Sequence, residues 1–225
     1  MKQIVIVPAY NEVLNIDSVV NDIKQNTKYD YIIIDDCSKD QTYQHCLEQG
    51  YHVLHLPINY GLASGVQVGM KYALENGYDM AAQFDGDGQH MAEYLPLLFQ
   101  ELEKNDIVIG SRFVNEKKPF TARMLGSRLL SCVIYLVTRK KIQDPTSGMR
   151  AFNREVMQEY AFGMNYPPEP DTLVYMLKKG KKIKEVQVEM KERAFGTSYL
   201  SPIRSLKYMM EMSVSILFIQ MFRKR

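Results

Sequence analysis

Residues 2–12 read KQIVIVPAYNE: an apolar run, Lys2–Val7 (KQIVIV), that halts at Pro8 and passes into a polar turn ending at Glu12. A short run rich in β-branched residues, closed by proline, reads as a strand buried on both faces. Four more runs of this kind follow: Tyr31–Ile34 (YIII), His52–Leu56 (HVLHL), Met80–Phe84 (MAAQF) and Asp106–Ile109 (DIVI). Between them lie stretches with helical spacing, roughly residues 15–26, 41–49, 61–76 and 92–104. The alternation β-α-β-α-β-α-β-α-β predicts an α/β fold with a mostly parallel sheet. Such sheets bind ligands at the carboxyl ends of their strands, so the residues after each strand carry the functional question.

Composition narrows the class. The chain has 225 residues, 46% of them hydrophobic, which is enough for one sizeable core and excludes disorder and small disulfide scaffolds. Lys plus Arg (28) nearly balance Asp plus Glu (26), so no overall field points to nucleic acid and a bound anion needs a local site. Cys37, Cys46 and Cys132 are odd in number and form no CxxC pair, which fits a reducing compartment. The apolar run before Pro8 is too short for a signal peptide, so a cytoplasmic location is expected. No window reaches the ~18 apolar residues of a spanning helix. The nearest, Met209 to Phe222, is broken by Glu211 and Gln220 and flanked by Arg204, Lys207, Arg223, Lys224 and Arg225. An amphipathic, basic helix at 201–225 is therefore expected to face a membrane surface or a partner, after a single domain over 1–200.

The strand-end residues are chemically pointed. Asp85 and Asp87, one residue apart in DGDGQH, would share a face in extended chain, with Cα atoms about 7 Å apart. Two such carboxylates suit Mg²⁺ or Mn²⁺ with positions left for substrate phosphates, and Gln89 would extend the face; a helix-capping turn is the alternative. Asp35 and Asp36 end a strand, where one carboxylate suits the N–H groups of a base or ribose hydroxyls, and Asp40 suits a cap. There is no GxGxxG after the first strand and no GxxxxGK[ST], which weakens dehydrogenase and ATPase readings. Arg112, Arg123, Arg128, Arg150 and Arg193 lie near Gly or Ser and suit phosphate or structural ion pairs. Arg123 and Ser127 share a face of a helix predicted over Ala122–Thr138 and suit a phosphate clamp. The histidines at 45, 52, 55 and 90 lack zinc-ligand spacing.

PAYNE, DDCSKDQT, N-Y-G, DGDGQH, GSR, DPTSGMRAF and RAFGTS occur in the order of family 2 glycosyltransferases, and the chain most resembles the dolichyl-phosphate-mannose synthase and polyprenyl-phosphate sugar transferase branch over roughly residues 1–200. The resemblance implies a GT-A fold, with a single Rossmann-like sheet flanked by helices, a nucleoside-diphosphate sugar donor (UDP- or GDP-sugar), a divalent metal and inversion at the anomeric carbon. It implies that Pro8, Ala9, Tyr10 and Glu12 line the nucleotide pocket, that Asp35, Asp36 and Asp40 hold base and ribose, and that Asp85, with Gly86, Asp87 and Gln89, holds metal and diphosphate. Arg112, Arg123 and Ser127 resemble an acceptor-phosphate clamp, and Arg193 with Ser198 a loop closing over the donor. Where the family usually has DDGS, this chain has Cys37 in place of Gly.

The acceptor decides whether a base is needed. A phosphate monoester is already a nucleophile at neutral pH, its second pKa being near ~6, whereas a hydroxyl must lose its proton to a positioned group. A polyprenyl phosphate is the expected acceptor. The alternative is a hydroxyl of a lipid-linked saccharide in cell-wall or capsular polysaccharide synthesis, with Glu169, Asp171 or Asp144 as base. A non-catalytic nucleotide-sugar-binding adaptor at the membrane is a third reading; a nucleotidyltransferase would need a Gly-rich loop where PAYNE stands. The expected setting is the inner face of the cell membrane, peripherally bound, with a homodimer or small membrane-protein partner as further possibilities.

Overall fold

The computed structural model describes residues 1–163, 169–192 and 202–219; the side chains at 122, 123, 202–206 and 219 lie outside that description. The first half alternates as read: β1 (Gln3–Ala9), α1 (Ile16–Asn26), β2 (Asp30–Asp35), α2 (Thr42–Glu48), β3 (Val53–His55), α3 (Leu62–Glu75) and β4 (Met80–Gln83). A 3₁₀ turn at Ala92–Tyr94 leads into α4 (Leu95–Glu101) and β5 (Ile107–Ser111). Then come α5 (Ala122–Thr138), β6 (Arg150–Asn153), α6 (Arg154–Gln158) with a π-helical turn at Glu159–Gly163, α7 (Pro170–Lys178), β7 (Ile183–Gln187) and α8 (Pro202–Val214) with a π-helical turn at Ser215–Ile219.

The seven strands lie in the order β3-β2-β1-β4-β6-β5-β7. All neighbours are parallel except β6, which runs antiparallel to both β4 and β5. Strand alternation explains why both faces are covered. Ile4, Ile6, Ile32 and Ile34 pack with Val66 and Met70 of α3, and the same cluster takes in Leu130 of α5, Leu173 of α7 and Met209 of α8. Val5, Val7 and Ile33 point the other way, into a cluster with Ile16, Val19, Val20 and Ile23 of α1 and Leu95, Leu98 and Phe99 of α4. A Cβ at Gly69 would stand 2.3 Å from Ile6 Cγ2, so the missing side chain lets α3 lie directly on β1.

The C-terminal helix is half core. Met209 and Ile216 are buried, while Met210, Val214 and Phe218 are exposed on the opposite side. α5, on which α8 packs, likewise exposes Leu125, Leu129 and Leu136. Among the described residues no helix is long and apolar enough to cross a membrane.

Candidate active site

The loops after β1 and β2 are laced together. Ala9 and Asp35, the last residues of those strands, are partners in register. Asn11 takes a left-handed conformation (φ 58°), which Asn tolerates better than most residues, and its Oδ1 accepts the N–H groups of Lys39 (2.7 Å) and Asp40 (3.3 Å). Its own N–H donates to Ser38 Oγ at 2.9 Å, and Glu12 N–H donates to Thr42 Oγ1 at 2.9 Å. Pro8 and Ala9 are buried, Tyr10 is exposed at the rim, and the Glu12 carboxylate accepts from Asn15 Nδ2 at 2.6 Å at the start of α1.

Two carboxylates expected to hold base and ribose are engaged within the chain. Asp36 is 3% exposed, and its two oxygens accept the Tyr60 and Gly61 N–H groups at 2.7 Å each. Asp40 accepts from Thr42 N–H (2.9 Å) and Thr42 Oγ1 (2.5 Å) with one oxygen and from Val13 N–H (3.3 Å) with the other. These bonds shape the loops that would border base and ribose. Asp35 is fully buried, accepts Ser38 N–H at 3.2 Å and pairs with His55 Nδ1 at 2.6 Å. Cys37 adopts φ 56°, a conformation glycine holds more easily.

The DGDGQH segment is a turn rather than extended chain, because β4 ends at Gln83 and Gly88 takes φ +75°. The period-two argument for Asp85, Asp87 and Gln89 therefore fails, and other contacts place them. Asp85 Oδ1 accepts from Gln83 Nε2 at 3.0 Å, and Asp85 N–H donates to His90 Nδ1 at 3.0 Å. His90 is itself buried edge-on against Phe84. Asp87 Oδ1 accepts Gln89 N–H at 3.0 Å. Gln89 is bonded to the segment beyond β7, its carbonyl accepting Lys191 N–H at 2.8 Å. Gly86 brings this turn against β1: its N–H donates to the Pro8 carbonyl at 3.2 Å, and a Cβ there would stand 2.9 Å from that oxygen. A Cβ at Gly148 would stand 2.2 Å from Asp85 Oδ2, so the TSG turn must be bare where it faces the carboxylate.

This donor set fits a hard divalent cation. Asp85 and Asp87 would supply carboxylate oxygens, and Gln83 Oε1, in the amide that donates to Asp85, is buried without a partner among the described residues. No group of three His, Cys, Asp or Glu side chains converges among the described residues, so a cation here would draw its remaining ligands from substrate and water.

The expected acceptor side is built differently from its reading. Arg112 grips Asp144 with two parallel bonds, Nε to Oδ2 at 2.8 Å and Nη2 to Oδ1 at 2.9 Å, and Asp144 is fully buried. Asp144 is thus the counter-ion that orients Arg112. Ser127 is also fully buried and accepts from Lys118 Nζ at 2.9 Å; the same ammonium reaches Ser131 Oγ at 3.2 Å. Burial pulls the Lys118 pKa below its ordinary value. Glu185 accepts the Gln143 and Asp144 N–H groups at 2.7 Å each, and burial pushes its carboxyl above the usual range. Lys118 and Glu185 were missed in the sequence, where nothing separates them from other surface charges.

Glu169 precedes α7 and Asp171 lies in its first turn; both are turned toward α8. Tyr208 donates to Glu169, whose pKa burial raises, and Ser215 Oγ donates to Asp171 at 2.8 Å. Arg123 by its side chain, and Arg193 and Ser198 entirely, lie outside the described residues.

Comparison with known proteins agrees with this geometry. The family model described as glycosyl transferase family 2 matches residues 4–161. The undecaprenyl-phosphate mannosyltransferase of Micrococcus luteus is 28% identical over 214 residues, covering 89% of this chain and 88% of that protein. The UDP-N-acetylglucosamine–dolichyl-phosphate N-acetylglucosaminyltransferase of Methanococcus voltae is 32% identical, covering 82% and 83%. Among solved structures, glucosyl-3-phosphoglycerate synthase from Mycobacterium tuberculosis, in complex with Mn²⁺, UDP and phosphoglyceric acid, superposes with a TM-score of 0.71 at 19% identity, covering 100% of this chain and 80% of that one. With a strand order that breaks parallelism only at β6 and an acidic turn after β4, the chain belongs to glycosyl transferase family 2 and is a glycosyltransferase of the GT-A fold.

Proposed function

We propose that the enzyme moves a sugar, with inversion, from a nucleoside-diphosphate sugar to the phosphate of a polyprenyl phosphate at a membrane surface. The observation that carries the choice of acceptor is the state of the carboxylates considered as bases. Asp144 is held by Arg112, Glu169 by Tyr208 and Asp171 by Ser215. A hydroxyl acceptor would require one of them to take a proton, whereas a phosphate needs none. The names of the relatives from Micrococcus luteus and Methanococcus voltae support the same acceptor class.

In this reading Asp85 and Asp87, with Gln89 beside them, hold Mg²⁺ or Mn²⁺ and the diphosphate. The cation, when bound, stabilises negative charge on the departing diphosphate as a Lewis acid. Gln83 bonds the Asp85 carboxyl and His90 holds the Asp85 backbone N–H, so the residue's orientation is set before substrate arrives. Pro8, Ala9 and Tyr10 border the nucleotide. Arg112, aimed by Asp144, attracts the acceptor phosphate, with Arg123, Arg193 and Ser198 as further contacts. The exposed apolar residues Leu125, Leu129 and Leu136 on α5 and Met210, Val214 and Phe218 on α8, flanked by Arg128 and Lys207, support peripheral docking on an anionic membrane.

The test is transfer from UDP- and GDP-sugars, with Mn²⁺ or with EDTA, to undecaprenyl phosphate in vesicles and to a sugar with free hydroxyls only. The expected product is an acid-labile glycosyl phosphodiester, formed only with metal and lost in Asp87→Ala. Transfer to the hydroxyl acceptor alone, or undiminished transfer by Asp87→Ala, overturns the reading.

A further inference from the structure

Arg150 opens β6 and is 2% exposed, so its guanidinium is closed off from a substrate phosphate. Its Nε donates to the Ser147 carbonyl at 2.9 Å and its Nη2 to the Pro145 carbonyl at 2.7 Å. The rigid fork of donors thus spans the turn at 144–148 from inside. Each end of that turn meets the candidate site. Asp144 grips Arg112 with two bonds, and Gly148 lies bare against Asp85 Oδ2. One turn therefore sets both the arginine assigned to the acceptor and the carboxylate assigned to the donor, an assignment that the inference takes from the function proposed above.

Arg150 also opposes Gln83 of β4 in register, and Gln83 bonds the Asp85 carboxyl at 3.0 Å. This cross-strand pair supports Asp85 twice, directly through the amide and again through the turn. A buried guanidinium needs a counter-charge, and Glu169 supplies one: burial raises its pKa, while the Tyr208 bond and the positive charge of Arg150 pull it down. Ser147 Oγ donates to the Gly110 carbonyl at 2.5 Å, so the turn stays tied to β5 when Arg150 is altered.

We infer that Arg150 is a positioning residue: it holds the 144–148 turn by two carbonyls and thereby sets Arg112 and Asp85 together, coupling the acceptor half of the site to the donor half.

Two variants test this. Arg150→Lys keeps the charge but cannot reproduce the two fixed bonds, and Arg150→Gln with Glu169→Gln removes both charges at once. Cooperative melting, binding of UDP and GDP with Mn²⁺, and KM for undecaprenyl phosphate are measured on each and on wild type. Both variants are expected to melt cooperatively, to bind the nucleotide ~10-fold more weakly and to show an acceptor KM raised ~10-fold, the two changes appearing together. Adding Gly148→Ala to Arg150→Lys should weaken nucleotide binding by less than the product of the two single losses, because both act through one turn. A folded variant with wild-type binding and KM, or with only one of them changed, overturns the inference and leaves the donor reading standing, as does a fully multiplicative loss in the combined variant. Loss of cooperative melting in both variants makes Arg150 a residue of the fold alone and overturns it too. Binding of neither UDP nor GDP by wild type instead removes the donor reading, and the inference with it.

Discussion

Replacing Gly148 by alanine tests the coupling between the TSG turn and the acidic turn. The added Cβ would stand 2.2 Å from Asp85 Oδ2 and 3.0 Å from its Cγ, well inside the separation real carbon atoms keep. The carboxylate must withdraw by about 1 Å to restore ordinary contact. Its bond to Gln83 Nε2 at 3.0 Å resists that movement, and His90, bonded to the Asp85 N–H, keeps the backbone from following it. Because the clashing atom is the end of a side chain, the fold survives: Gly148 is not at positive φ, and glycine-to-alanine changes of this kind stay within about 1 kcal/mol. A misplacement of about 1 Å at a reacting centre can lower rate ~100-fold, or about 2.7 kcal/mol of transition-state stabilisation. The assay is kcat/KM for sugar transfer, with a Mn²⁺ titration, on wild type, Gly148→Ala, Asp85→Ala and the double variant. Gly148→Ala is expected to lose ~100-fold with its melting temperature nearly unchanged, and to add little once Asp85 is gone. Wild-type kinetics in Gly148→Ala, or full additivity in the double variant, would refute the reasoning.

Three further outcomes are expected. Asp36→Asn sets an amide NH₂ against a backbone N–H of Tyr60 or Gly61, and urea denaturation should show a loss of about 1–3 kcal/mol. Cys37→Gly relieves a left-handed non-glycine residue, and the strain removed exceeds the added unfolded-state freedom, so denaturation should show a gain of up to about 1 kcal/mol. Burial raises the Glu169 pKa, so the folded chain keeps a proton there that the unfolded chain has released; its contribution to stability therefore falls as pH rises from the ordinary Glu range through the raised value. Glu169→Gln should accordingly become more stable relative to wild type across that interval, and a constant difference from pH 4 to pH 8 would contradict this.

Much of the sheet was legible because each strand of the first half is a buried run between helical stretches, and that pattern survives translation into β1 to β5 almost residue for residue. β6 was not: RAFN is four residues long, begins with arginine and ends with asparagine, and joins the sheet only through Gln83 and its neighbours on β4 and Ile107 to Ile109 on β5. The acidic residues were legible as strand-end chemistry, yet their tasks were not. Asp36 is engaged by amides at Tyr60 and Gly61, far along the chain, and Asp144 by Arg112. Such partners follow from how loops meet after folding, which residue spacing does not encode. The DGD turn misled for a local reason: two glycines free the backbone from the extended geometry on which the alternation rule depends.

The antiparallel β6 also dictates an order of assembly. The segment through Gln83 can complete only β3-β2-β1-β4, leaving the outer edge of β4 unpaired. β5 follows it in the chain yet never touches it, because β6 occupies the space between them. A nascent chain emerging from the ribosome therefore carries an open strand edge until Arg150 to Asn153 has been made, and β6 closes both halves of the sheet in one step. The turn that leads into β6 also sets Gly148 against Asp85, so the candidate site is complete only with the sealed sheet.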